Sequence, residues 1–151
     1  MKDYNKTYLS KATGGLFWYN RTERVLNINI TLLRSVGPKL RGNVQVYKFL
    51  SNEFRYFPVT LSLNMCEEYK KNTFGLLDLF RTYSNVKVNS CPLPQGNYSM
   101  KNGKIDFSQF PPHIPKGTYK TEVKLFNDRD YLGHFDVIAD VSPKEILRVI
   151  N

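Results

Sequence analysis

A chain of 151 residues that is 41% hydrophobic, with 10 Tyr and 10 Phe, can bury one core without a metal or a dense cysteine framework; one domain over residues 1–151 is expected. No run of about 18 apolar residues exists to cross a bilayer, and residues 1–15, with Lys2, Lys6 and Lys11, lack the uninterrupted apolar stretch of a signal peptide. The excess of 22 Lys and Arg over 13 Asp and Glu favours anionic partners, but it is scattered, with Lys70-Lys71 the only adjacent basic pair, so a solvated basic surface is expected and no nucleic-acid groove.

Leu26, Ile28, Ile30 and Leu32 alternate with Asn27, Asn29, Thr31 and Leu33, the period-two signature of a strand with one buried face. The same alternation sets Val44 and Val46 against Gln45 and Tyr47, and Val59, Leu61, Leu63 and Met65 against Thr60, Ser62 and Asn64. Three strands are thus expected before Cys66, which ends the third. Beyond it the period changes. Tyr69, Phe74, Leu77 and Phe80 recur at spacings of three to five, with Glu67 and Glu68 early and Arg81 late, and this predicts a helix. Gly75 costs that helix about 1 kcal/mol relative to Ala, so its first turns are expected to be irregular.

After Cys91 turn residues crowd together: Pro92, Pro94, Gly96, Asn102-Gly103, then Pro111, Pro112, Pro115 and Gly117, leaving room only for short strands. Tyr119, Thr121, Val123 and Leu125 then alternate with Lys120, Glu122 and Lys124, and residues 127–130 turn the chain into a final hairpin strand with Phe135 and Val137. Ser142, Pro143 and Glu145 carry a capping-box pattern that predicts a terminal helical turn. The fold class is therefore mainly β, an antiparallel β-sandwich with one helix inserted between the two cysteines.

A bridge between Cys66 and Cys91 would clamp the helical excursion to the sheet, worth roughly 3 kcal/mol on the chain-entropy account; two separate buried thiols are the alternative. No Cys-x-x-Cys is present, so redox catalysis and structural zinc are poor readings, and no metal or cofactor is expected. Asn5, Asn20, Asn29 and Asn97 each open an Asn-x-Ser/Thr triplet, candidate glycosylation sites that weigh toward secretion.

Taken together, Cys66, the helix, Tyr83-Ser84-Asn85, Cys91-Pro92, Gly96-Asn97-Tyr98, Pro112 and Ile114-Pro115-Lys116-Gly117-Thr118-Tyr119 resemble an insect family of small secreted proteins of unknown function that includes the CheB chemosensory proteins. The likeness runs from about residue 24 to 141. It implies an immunoglobulin-like sandwich of the ML lipid-recognition superfamily, which holds a lipid between two sheets. Members of that family often carry further cysteines before this region; here none precedes Cys66, so the segment with Phe17, Trp18 and Tyr19 carries over least.

Catalysis finds little support. His113 lies in a proline-rich loop and His134 in a strand, and there is no His-Glu-x-x-His, Gly-x-Ser-x-Gly or phosphate-cradling glycine loop. Asp128-Arg129-Asp130 reads as a hairpin turn. A non-enzymatic, secreted, monomeric binding protein is expected, holding a lipid, fatty acid or hydrocarbon pheromone between its sheets. The lining candidates are Ile28, Ile30, Val44, Val46, Leu61, Leu63, Val123, Leu125, Phe135 and Val137, with Phe107 and Phe110 as gatekeepers near the mouth. The rival expectation is a secreted module with a packed core that binds a membrane receptor or channel. An intracellular domain binding nucleic acid is a third, weaker reading.

Overall fold

The computed structural model describes residues 3–87, 91–110, 113–141 and 148–149. Two antiparallel sheets pack into a sandwich. The larger carries β1 (Asp3–Tyr4), β8 (Asp130–Val141), β7 (Gly117–Asn127), β4 (Leu40–Leu50) and β5 (Glu53–Asn64) side by side, with β9 (Arg148–Val149) also paired to β8. The smaller has β3 (Arg24–Leu32) between β2 (Leu9–Trp18) and β6 (Gly96–Gly103). The mainly β sandwich read from the alternating segments is thus the fold observed. The capping-box turn at Ser142–Glu145 lies outside the described residues.

The strand β2 was not anticipated. A bulge between Leu9 and Lys11 and the adjacent Gly14-Gly15 break its alternation, although from Lys11 onward it pairs regularly with β3 as far as Trp18↔Arg24. The third predicted strand stops two residues early: Asn64 caps a helix, its side chain accepting from the Glu67 N–H at 3.1 Å, so Met65 and Cys66 are helical and do not end the strand. The single predicted helix is two, α1 (Met65–Lys70) and α2 (Leu76–Tyr83). Asn72, Phe74 and Gly75 between them have φ of 59°, 55° and 72°, the left-handed region that breaks a right-handed helix. The two halves remain in contact through an edge-to-face pair, Tyr69 and Phe80, at 6.0 Å.

After α2 the chain is sewn to the free edge of β6. Asn85 works as a one-residue strand: its N–H donates to the Ser99 carbonyl, its Oδ1 accepts from the Ser99 N–H at 2.9 Å, and its Nδ2 donates to the Asn97 carbonyl at 2.8 Å. An open edge is thereby covered. The two Pro-x-Gly-x-Tyr segments prove equivalent. Tyr98 donates to the Pro94 carbonyl at 2.6 Å and Tyr119 to the Pro115 carbonyl at 2.7 Å, each across a glycine with φ of 156° or 149°, so each motif launches a strand, β6 or β7.

The two ends of the sandwich differ. At one end β3 finishes, β4 begins, and Cys66 and Cys91 are joined with Cα atoms 5.6 Å apart. Val36 and Leu93 exchange backbone hydrogen bonds of 3.0 and 2.8 Å beside the bridge. Gly37, at φ +94°, packs so tightly that a Cβ there would lie 2.6 Å from Cys91 Cβ and 2.9 Å from both sulfurs, and its N–H donates to Asn127 Oδ1. Tyr8, Leu9, Ala12, Leu32, Val36 and Leu132 form the buried cluster here. The other end carries two hairpin tips, residues 19–23 between β2 and β3 and Ser51-Asn52 between β4 and β5; β6 also ends and β7 begins there.

Candidate functional site

Cross-strand register brings the predicted lining residues of the larger sheet onto one face. Leu61, Val44, Val123 and Phe135 form one row across β5, β4, β7 and β8; Leu63, Gly42, Leu125 and Gly133 form the next toward the disulfide. Val46, Thr121 and Val137 form the row toward the tips. Leu125 packs on the buried cluster, which makes this face the inner one, and Ile30 does the same for the face of β3 that also carries Ile28. Burial is uneven along these rows. Val123 is buried, Leu61 is 47% exposed because β5 is a sheet edge, and the other lining residues are half-buried.

Toward the disulfide the space between the sheets is filled. Met65 Sδ sits where a Cβ on Gly42 would come within 2.8 Å, and Leu125 and Leu132 close on Leu32 and Leu9. Toward the tips burial is mixed: Val25 is 2% and Tyr119 7% exposed, while apolar neighbours at the strand ends are open to solvent. Trp18 and Leu50 fall on the inner faces by the same alternation, yet they are 61% and 48% exposed. Phe17, Tyr19, Phe49 and Tyr56 surround them on the outer sides, also exposed. Phe107 and Phe110 do not stand alone: their rings are 5.7 Å apart, and Phe110 stacks on Phe74 at 4.8 Å, tying residues 107–110 to the helical excursion. Sequence reasoning missed Trp18, Leu50 and Phe74. The inward register of Trp18 was hidden with the rest of β2.

Other polar groups lie away from this space. On the outer face of the larger sheet His134 Nε2 is 3.0 Å from Asp136 Oδ1 and 3.9 Å from Glu122 Oε2, with Asp3 Oδ1 4.0 Å from Nδ1. These three carboxylates hold the ring between paired strands. Glu122, His134 and Asp136 offer ligand atoms within 4.8 Å of one another, the one such group among the described residues. Tyr131 donates to Asp3 at 2.8 Å, and burial, that hydrogen bond and the carboxylate's charge push its phenol up to about 12. Burial also raises Tyr69, against the opposing pull of Arg81. His113 is exposed. An open depression of 440 Å³ on the outer face of the smaller sheet is lined by Phe17, Asn27, Asn29, Ser99, Met100 and Lys101.

The glycosylation candidates differ in availability. Asn20, Asn29 and Asn97 are exposed, whereas Asn5 is partly buried, its Nδ2 donating to the Tyr131 carbonyl at 2.9 Å. None of the helices among the described residues is long and apolar enough to cross a membrane.

Fold and site together define a two-sheet β-sandwich, stapled at one end by a disulfide and carrying exposed apolar side chains at the other. Residues 42–121, from β4 into β7, match the family model described as "Protein of unknown function (DUF1091)", and the chain belongs to that family. A comparison with curated proteins returns no match.

Proposed function

We propose that this protein is a secreted, non-enzymatic binding protein that takes a hydrophobic chain between its two sheets from the hairpin-tip end. The observation that carries this reading is the exposure of Trp18 at 61% and Leu50 at 48% on faces that, nearer the disulfide, are packed. Apolar side chains directed inward but left open to solvent form the wall that a ligand would cover. Burying a dozen methylenes at about 0.8 kcal/mol each supplies ample gross driving force. The disulfide fits an oxidising compartment. The resemblance to the insect family with the CheB chemosensory proteins, and through it to the ML lipid-recognition superfamily, points the same way.

Protein purified from a secretory host should carry lipid in native mass spectra and should release a fluorescent fatty acid to unlabelled oleate. Consistently empty protein that never takes up the probe would sink the proposal. A second reading draws on Phe17, Tyr19, Phe49 and Tyr56, exposed around the tips with Lys104 5.5 Å over Tyr19 and Lys120 4.9 Å over Tyr47. Aromatics interleaved with cations also make recognition hot spots, as a receptor or channel partner would need. That reading predicts silence in the displacement assay.

A further inference from the structure

We infer that the ligand is an anionic amphiphile whose acidic head is held at the tip end by Arg24 and Lys48; this rests on the carrier reading above and adds the chemical class of the ligand. The two cations stand on the facing inner surfaces. On the smaller sheet Arg24 pairs with Trp18 across β2 and β3, and it alternates in step with Leu26, Ile28, Ile30 and Leu32, so it belongs to the inner face at the mouth. On the larger sheet Lys48 pairs with Tyr119, in step with Val44 and Val46, and therefore faces inward at the same end.

Arg24 is an unusual residue to find on an inner face. Its guanidinium lies 5.1 Å over the Trp18 ring, and Nη2 donates to the Leu16 carbonyl at 3.1 Å. Nε is buried without an acceptor, the one such side-chain atom among the described residues. A buried donor left unmatched is costly and calls for an explanation. A carboxylate is the acceptor whose geometry suits a guanidinium edge that presents Nε beside a terminal nitrogen. The ring of Trp18 and the bond to Leu16 hold that edge in place before a ligand arrives.

Lys48 repeats the pattern opposite. Its stem crosses Gly117, where a Cβ would lie 2.9 Å from Cε, and its ammonium sits 5.6 Å over the Tyr119 ring. Tyr119 is itself fixed by its bond to the Pro115 carbonyl. The glycine of the second Pro-x-Gly-x-Tyr motif thus opens the path along which this lysine reaches the mouth. A fatty acid entering tail first would run its chain along Val46, Val44 and Ile28 toward the packed end and leave its head between two cations.

The test compares oleate with oleyl alcohol as competitors for a bound fluorescent fatty acid, in the full chain. Wild type should prefer the carboxylate by about tenfold to a hundredfold, the worth of one charge-assisted hydrogen bond. Arg24→Met, which keeps the apolar stem, should lose most of that preference, its affinity for the carboxylate falling much further than its affinity for the alcohol. Arg24→Lys should restore part of it, and Lys48→Met should lower it less. Trp18, the single tryptophan, reports the event directly: its emission should respond to oleate in wild type and not in Arg24→Met. Equal displacement by acid and alcohol in wild type would overturn the head-group assignment and leave the carrier standing. A preference that survives both methionine variants would show that other residues hold the head. Failure of both competitors and of the probe to bind would remove the carrier reading itself.

Discussion

Ala12 and Trp18 project from the same face of the same strand, yet Ala12 is 5% exposed and Trp18 61%; across the pairing, Leu32 is 6% exposed. Strand chemistry does not separate them. What differs is the company each end keeps. Near Ala12 and Leu32 the disulfide, the Val36–Leu93 bridge and the first residues of the chain draw the sheets together, and Met65 fills the gap over Gly42. About 25 Å along β3, by the rise of a strand, no disulfide joins the tips, and there Val25 is 2% exposed but Trp18 61%. Among the described residues the disulfide end is the more evenly packed of the two.

The comparison breaks first at the disulfide. Opening the Cys66–Cys91 bridge, which spans 25 residues, should cost about 3.5 kcal/mol on the loop-entropy account. Urea titrations of wild type and of the Cys66→Ser, Cys91→Ser double variant read this directly. An unchanged midpoint would mean that the staple is not what closes this end.

Next comes the contrast between the ends themselves. Leu32→Ala should lose about 3 kcal/mol, because a packed cluster cannot collapse around the missing atoms. Leu50→Ala, on the same kind of face but exposed, should lose less than about 0.5 kcal/mol. Equal losses would erase the distinction between a packed and an open end.

Gly37→Ala sharpens the picture, since it adds a methyl against the disulfide at a φ of +94°. A loss of about 2 kcal/mol is expected from backbone strain and crowding together. Full stability in a thermal melt would show that the loop can shift away from the sulfurs.

The smallest effect concerns pH. The folded-state value of Tyr131 is raised, to about 12 from an ordinary 10, so the protonated phenol is favoured by folding. Its contribution is complete below pH 10 and is lost as pH climbs through about 12. Tyr131→Phe should flatten that part of the alkaline stability curve, measured by denaturation at successive pH values, and should lower stability below pH 10, where the hydrogen bond to Asp3 is intact.

Much of this was legible from spacing. β3, β4, β7 and β8 alternate cleanly because each has one face toward the other sheet and one toward water, so the nominated lining residues fall together on inner faces. β2 was illegible for a definite reason: a bulge and two glycines remove the side chains that would have shown its period. The helical excursion read as one element because left-handed residues other than glycine, Asn72 and Phe74, leave no mark on an apolar period. Leu61 read as core because alternation reports the face of a strand and is silent about its place in the sheet.

By itself the amino-acid sequence determined the strands with two-residue periods, the turns between them, and the two tyrosine-locked strand starts, since each depends on neighbours within a few residues. The tertiary structure alone decided that Cys66 meets Cys91, that Asn85 seals the β6 edge, and that Arg24 and Lys48 stand on different sheets near the hairpin tips. Those relations join residues far apart in the chain, and distance in sequence carries no record of which surfaces water will be driven from and which will be left for a ligand to cover.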